Sequence, residues 1–194
     1  EMMNVDNRYT DEMVAFRRSI HEHPETGWTE FRTTSIIVKR LKELGFEVLE
    51  GLQAVNPDFV MGRYPEEVKA AQKRALEEGV SEAELDAMQG YTGAIGIWRT
   101  GRSGPVSALR FDIDALFVPE TKDPNHIPNK CGFASKHPGQ MHACGHDCHT
   151  GVGLAIAHWI ADHSDELCGT IKLLFQPAEE GTRGGMAMAQ TGIL

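Results

Sequence analysis

With 194 residues, 41% of them apolar and 24% charged, the chain is long enough for one domain with a real core and has an ordinary globular composition. Its formal net charge of −9 argues against nucleic acid or an anionic membrane as a partner, and no apolar run reaches the roughly 18 residues that would mark a membrane span. The first ten residues are polar, with no signal-peptide core. Four cysteines are too few for a disulfide scaffold and fit a reducing, cytoplasmic compartment.

In chain order, residues 8–22 predict a helix, with Met13, Phe16, Arg17 and Ile20 spaced by three and four. Pro24 ends it by restricting His23. His21 and His23 read as residues that cap or pack the helix end, with a functional role as the competing reading. A second helix is expected over 29–44, with Thr29 as N-cap and Gly45 after its end. Its apolar stripe is Ile37, Leu41 and Leu44. Residues 46–49 read as a strand.

Residues 56–90 read as a helical insertion in an α/β domain. Pro65 lies in the first turn of one helix and Gly79 follows its end, and Ser81-Glu-Ala-Glu84 is a capping-box pattern opening a shorter helix. Its charges read as a solvated face. Strands follow at 91–99 and 106–111, and the second runs into Asp112-Ile-Asp114. Carboxylates at i and i+2 share a face, and sites in open α/β sheets collect beyond strand ends; the competing reading is a turn or cap pair. Residues 119–140 read as a long covering loop. His126 and His137 are expected to be solvated there, and Cys131 to be a small buried or loop residue.

The densest chemistry lies in Met141-His-Ala-Cys-Gly-His-Asp-Cys-His-Thr150, where three histidines, two cysteines and an aspartate fall within eight positions. Such ligands suit a transition metal, and Gly145 permits the bend that would let Cys144 and His146 face one ion. A helix over 150–163 should follow, with Val152, Ile156, Trp159 and Ile160 inward, and His158 and His163 packed or exposed rather than ligating. Residues 162–168 form a polar turn and 169–175 a buried strand, halted by Pro177 just before Glu179 and Glu180. Residues 182–185 lead into a last helix ending at Gly192.

A catalytic zinc site needs three protein ligands and an open position, which Cys144, His146 and one glutamate would supply. The second carboxylate would take the proton of the attacking water. Asp112 or Asp114 would hold a second metal or orient a ligand histidine. The alternative is a structural zinc on Cys144, Cys148 and two of His142, His146 and His149. Paired glutamates after a buried strand favour catalysis, because a structural site has no use for them.

Four ordered motifs carry a resemblance: Arg18-x-x-His21-x-x-Pro24-Glu25, Ala108-Leu-Arg-x-Asp112-x-Asp114-Ala-Leu116, Met141-His-Ala-Cys-Gly-His-Asp147 and Phe175-Gln-Pro-Ala-Glu-Glu-Gly181. The chain resembles the M20 metallopeptidases over roughly residues 10–194, within the amidohydrolase branch that includes hippurate and auxin-conjugate hydrolases. Further likeness lies in Thr26 to Thr33, Met61-Gly62, Gly132 to Ser135 and Glu179 to Gly184. The resemblance implies a three-layer α/β/α zinc-peptidase-like catalytic domain with two divalent metals, zinc or manganese, cobalt being compatible. Cys144, His146 and Glu180 match metal ligands, Glu179 the general base and Asp114 a site-organising aspartate. The implied reaction is hydrolysis of the amide of an N-acyl amino acid. p-Aminobenzoyl-glutamate is the best single substrate, and a hippurate-like compound or a non-catalytic fragment binding metal or a partner are the alternatives. A homodimer or a heteromer with a related subunit is compatible. Cys148 stands where the family usually has Gly, and Phe117 replaces a frequent Pro. Residues 1–194 match only the N-terminal part of the family's catalytic domain. Its other histidine ligands and lid or dimerisation domain lie downstream in the family, so the isolated chain is expected to turn over little substrate.

Overall fold

The structure, a computed structural model, describes residues 7–181 and 183–193. The start of the polar N-terminal stretch, Glu1 to Asp6, lies outside the described residues, as do Thr182 of the expected lead into the last helix and Leu194.

Helix α1 spans Asn7–Glu22. Helix α2 spans Phe31–Glu43 and begins two residues later than expected. Thr29 does not cap it, because its hydroxyl donates back to the Thr26 carbonyl at 2.6 Å. The orphan N–H groups of the first turn are met by Glu25, whose carboxylate accepts from Arg32 N at 3.0 Å and Thr33 N at 2.8 Å. A cap six residues ahead of the helix escapes any rule that inspects only the adjacent residue. Past Leu44, Gly45 takes the left-handed conformation expected of it, with φ +90°.

Strand β1 is Glu47–Glu50. Helices α3 (Pro65–Glu77) and α4 (Glu82–Met88) form the insertion, and both halves of the Ser81/Glu84 capping box are present. The pair buries a cluster of its own, Val68, Ala71, Ala75, Val80, Leu85 and Met88, against Phe31 of α2. Strands β2 (Ala94–Arg99), β3 (Val106–Asp112) and β4 (Thr170–Gln176) complete a sheet of order β1-β2-β4-β3. The first two pairings are antiparallel, and β3 runs parallel to β4. Helix α6 (His146–Asp162) lies in the long connection between those parallel strands.

The alternation of strand residues makes three layers. Ala94, Leu173 and Phe175 face α2 and α6, where Ile37, Leu41, Leu154, Ala157 and Ile160 meet them. Ile95, Ile97 and Leu174 face the opposite side, covered by Trp28, Val55 and, from helix α7 (Gly184–Ala189), Ala187 and Met188. The α/β/α expectation is met on both faces.

Helix α6 departs from the reading in two ways. It starts four residues early, at His146, because Gly145 at φ +86° turns the chain directly into it. Its inner face is also different: Val152 and Trp159 are exposed, whereas Gly151, Gly153, Leu154, Ala157 and Ile160 are buried. The reason is proximity. A Cβ on Gly153 would lie 2.7 Å from the Phe175 ring and 2.8 Å from the Phe111 ring, and one on Gly151 would lie 2.8 Å from the Met13 carbonyl of α1. A helix pressed this closely between α1 and the sheet uses small residues where hydrophobicity alone would place large ones.

The covering loop is likewise more ordered than expected. It contains a short helix, α5 (Ile127–Cys131), and Cys131 is exposed. His137 is buried rather than solvated, with Nδ1 donating to the Pro24 carbonyl at 2.6 Å and Nε2 facing Glu78 at 2.5 Å. His126 is half-buried and bonded to Glu120 at 2.8 Å. The last helix stops at Ala189, short of Gly192.

Candidate metal centre

Three segments converge beyond the ends of the parallel strands. β3 runs out into Asp112-Ile113-Asp114, β4 into Gln176 to Glu180, and the turn at Gly145 brings Cys144 and the first residues of α6 against both. The sequence Asp112 to Leu116 is pinned in place by bridges from Ala115 to Thr26 and from Leu116 to Met141.

His146 is the central side chain. Its Nδ1 lies 3.0 Å from the Asp114 carbonyl and 3.1 Å from Asp114 Oδ1. Both are acceptors, so Nδ1 carries the proton and donates, leaving Nε2 as the nitrogen that could coordinate a cation. Burial disfavours the imidazolium, yet the hydrogen bond and charge of Asp114, with the charge of Asp112, outweigh it and raise His146 to about 8. A cation at Nε2 would take the place of that extra proton.

Cys144, His146 and Glu180 each bring one ligand atom within 4.8 Å of the others. Glu180 is oriented through its backbone, whose N–H donates to Asp114 Oδ2 at 2.9 Å, while its Oε1 is buried with no hydrogen-bond partner. The Cys144 thiol is pushed up by its hydrogen bond to Glu180, by burial, and by the charges of Glu180, Glu179 and Asp114. A thiol and carboxylates held together in this way, one oxygen unsatisfied, suit a shared cation. Glu179 stands beside the triad, with Oε2 3.7 Å from His146 Nε2. Asp114 thus touches the histidine and the glutamate loop together.

Asp112 turns to other partners, His149 Nδ1 and an Arg110 guanidinium nitrogen, each 3.3 Å from its Oδ2. Asp112, His146 and His149 form a second ligand-capable group, again within 4.8 Å, and share His146 with the first. Among the described residues Cys148 enters neither group. Its thiol faces Arg17 and Asp147, with burial the main force raising it. His142 is buried with neither ring nitrogen hydrogen-bonded, and burial lowers it to about 4.

Sequence reasoning underrated the support behind α6. His21, read mainly as a helix-end residue, is buried between two carboxylates, with Nδ1 2.9 Å from Asp147 Oδ2 and Nε2 2.8 Å from Glu120 Oε1. Burial opposes its charge, but these bonds prevail and raise it. Arg17 also donates to Asp147 Oδ2 at 2.9 Å. Burial would raise the Asp147 carboxyl, yet the His21 bond and the charges of His142 and Arg17 hold it below the usual carboxylate value. The signal was present in Arg18-x-x-His21-x-x-Pro24-Glu25, but nothing local told which residues the histidine would meet.

Residues 108–194 match the sequence model of "Peptidase family M20/M25/M40". The chain is 49% identical over 193 residues to a Haemophilus influenzae homolog of a p-aminobenzoyl-glutamate hydrolase subunit, the match covering 99% of this chain and 45% of that protein. It is 47% identical to the indole-3-acetyl-aspartic acid hydrolase of Enterobacter agglomerans, over 94% of this chain and 42% of that protein. Among solved structures it resembles the aminobenzoyl-glutamate utilization protein of Klebsiella pneumoniae, with a TM-score of 0.77, 36% identity, and coverage of 96% of this chain and 41% of the other. It also resembles a Bacillus subtilis protein described as a dinuclear metal-binding peptidase of the M20 family, with a TM-score of 0.70, 31% identity and 97% and 41% coverage. The chain therefore spans a little under half the length of the relatives it matches.

Proposed function

We propose that the chain belongs to peptidase family M20/M25/M40, whose sequence model matches residues 108–194 and to which relatives named as hydrolases or a peptidase point, and that it forms the N-terminal part of a catalytic domain that hydrolyses the amide bond of N-acyl amino acids with the aid of two divalent metals. The observation that carries this reading is the meeting of Cys144, His146 and Glu180 within 4.8 Å, beside a second glutamate that none of the ligand roles needs.

In this reading Cys144, His146 through Nε2 and Glu180 hold metal. Zinc or manganese suits the set, with cobalt also compatible. A divalent ion held there would supply Lewis-acid chemistry, a nearby water of lowered pKa and a polarised amide carbonyl. Glu179, partly exposed beside His146 Nε2, takes the proton of the attacking water and passes it to the departing amine. Asp114 keeps His146 in the tautomer that leaves Nε2 free and holds the Glu180 backbone in place.

The substrate we favour is p-aminobenzoyl-glutamate, since one relative is named for that hydrolysis. Another N-acyl amino acid is the second reading, supported by the relative named for indole-3-acetyl-aspartate. The same Haemophilus influenzae relative is named as the homolog of one subunit of its hydrolase, which supports an enzyme of more than one polypeptide. The four free cysteines fit a reducing, cytoplasmic setting.

Elemental mass spectrometry of the purified chain and of Cys144→Ala tests the metal reading. Stoichiometric zinc or manganese, lost in the variant, is the expected result. Metal lost in Cys148→Ala as well as in Cys144→Ala would instead support the structural-zinc reading, in which both cysteines are ligands. A panel of p-aminobenzoyl-glutamate, indole-3-acetyl-aspartate and hippurate, given to the protein that carries this chain, then separates the substrates.

A further inference from the structure

The segment Thr26 to Thr33 lies outside every ligand and base role assigned above, yet it contains one of the most buried ionisable groups in the protein. Glu30 is fully buried. Its Oε1 accepts the Ala178 N–H at 2.8 Å, and its Oε2 accepts the Thr92 hydroxyl at 2.6 Å. Ala178 immediately precedes the glutamate pair and has φ +48°, a conformation that residues with a side chain rarely adopt. Two residues on, the Glu180 N–H ends on Asp114 Oδ2. Alternate N–H groups of one short turn therefore each terminate on a separate buried carboxyl group. On the other side of the turn, the Ala178 carbonyl accepts from Arg183 N and Gly184 N.

We infer that Glu30 is a positioning residue of the metal centre: by gripping the Ala178 N–H it holds the turn in its left-handed conformation and so aims the Glu179 and Glu180 carboxylates at the site. The inference rests on the metal reading given above. Three features support it. The grip comes from α2's N-cap position, on a different element from the turn, so the turn cannot supply it alone. Thr92 fixes the second oxygen, so the carboxyl plane has one orientation. Burial, followed by the nearby Asp114 charge, raises Glu30 above the usual carboxylate value, while both its oxygens end on fixed partners, so an amide isostere that keeps those two bonds should serve as well.

The test is a cobalt(II) titration of the protein that carries this chain, followed by the thiolate-to-cobalt absorption that Cys144 would produce, for wild type, Glu30→Ala, Glu30→Gln and Thr92→Val. Leu85→Ala is a control that loosens the insertion's cluster without touching the turn. Glu30→Ala is expected to weaken cobalt binding by about 10–100-fold, as loss of outer support typically does. Glu30→Gln should stay within about threefold of wild type, because its amide oxygen still accepts from Ala178 and its NH2 can donate to Thr92 Oγ1. Thr92→Val should fall between them, and Leu85→Ala should bind as wild type does despite a lower melting temperature. A thiolate band in wild type with equal affinity in Glu30→Ala would overturn this inference alone. Absence of the band in wild type would overturn the metal reading and this inference with it. If Glu30→Ala does not fold, equal affinity in wild type and Thr92→Val would overturn the inference instead, as would a folded Glu30→Gln binding 10-fold or more weakly.

Discussion

The metal corner and the helical insertion are built on opposite principles. In the insertion, α3 and α4 follow local rules. Pro65 opens one helix, Ser81 and Glu84 cap the other, and a small apolar cluster anchors both against α2. In the corner, local rules are broken repeatedly. Ala178 sits at positive φ, the Asp114, Glu30, Asp147 and His21 side chains are buried, and polar atoms of Asp112, His142 and Glu180 have no hydrogen-bond partner. The insertion is held mainly by propensity and apolar burial. The corner is held by carboxyl groups contributed from distant parts of the chain, and that arrangement leaves donor atoms facing one another.

Substitutions that strike one region and spare the other sharpen this contrast. The largest effect is expected for Gly184→Ala. A Cβ there would lie 1.7 Å from the Pro177 carbonyl oxygen, on rigid backbone. The cost should lie at or above the upper end of the roughly 1–3 kcal/mol typical of overpacking, with cobalt binding lost in parallel. Denaturant unfolding and metal titration on the same sample check both. Asp114→Asn should weaken metal binding by about 10–100-fold, since it weakens the hold on His146 Nδ1 and the Glu180 N–H together. Unchanged affinity would mean that the corner does not need its carboxylate. The smallest effect is expected for Ser81→Ala, which removes one half of the capping box. It should cost about 1 kcal/mol and leave metal affinity alone. A loss of metal binding there would show that insertion and corner are coupled, and the contrast between them would fail.

Legibility followed the same division. The α3 and α4 helices could be read from caps and composition because their determinants lie within a few residues of one another. Cys144 and His146 could be nominated because their ligand atoms belong to one short run bent at Gly145. The start of α2 could not be read, because its true cap, Glu25, reaches back from outside the helix. The inner face of α6 was misassigned because hydrophobic patterning treats glycine as filler. Here Gly151 and Gly153 mark where α1 and the sheet press against the helix. His137 looked like a loop histidine until Pro24 and Glu78 were brought to its two nitrogens.

The sequence by itself determined an α/β domain, its helical insertion and the residue types gathered at the site, because hydrophobic periodicity, turn residues and ligand chemistry are local properties; the three-layer α/β/α arrangement was implied by the family resemblance. Only the tertiary structure decided which carboxyl group serves which partner. Glu30 meets Ala178 across 148 positions, His21 meets Asp147 across 126, and Asp114 meets Glu180 across 66. A buried polar group is stable only where a partner reaches it, and that partner is chosen by the packing of the layers rather than by the residues beside it in the chain.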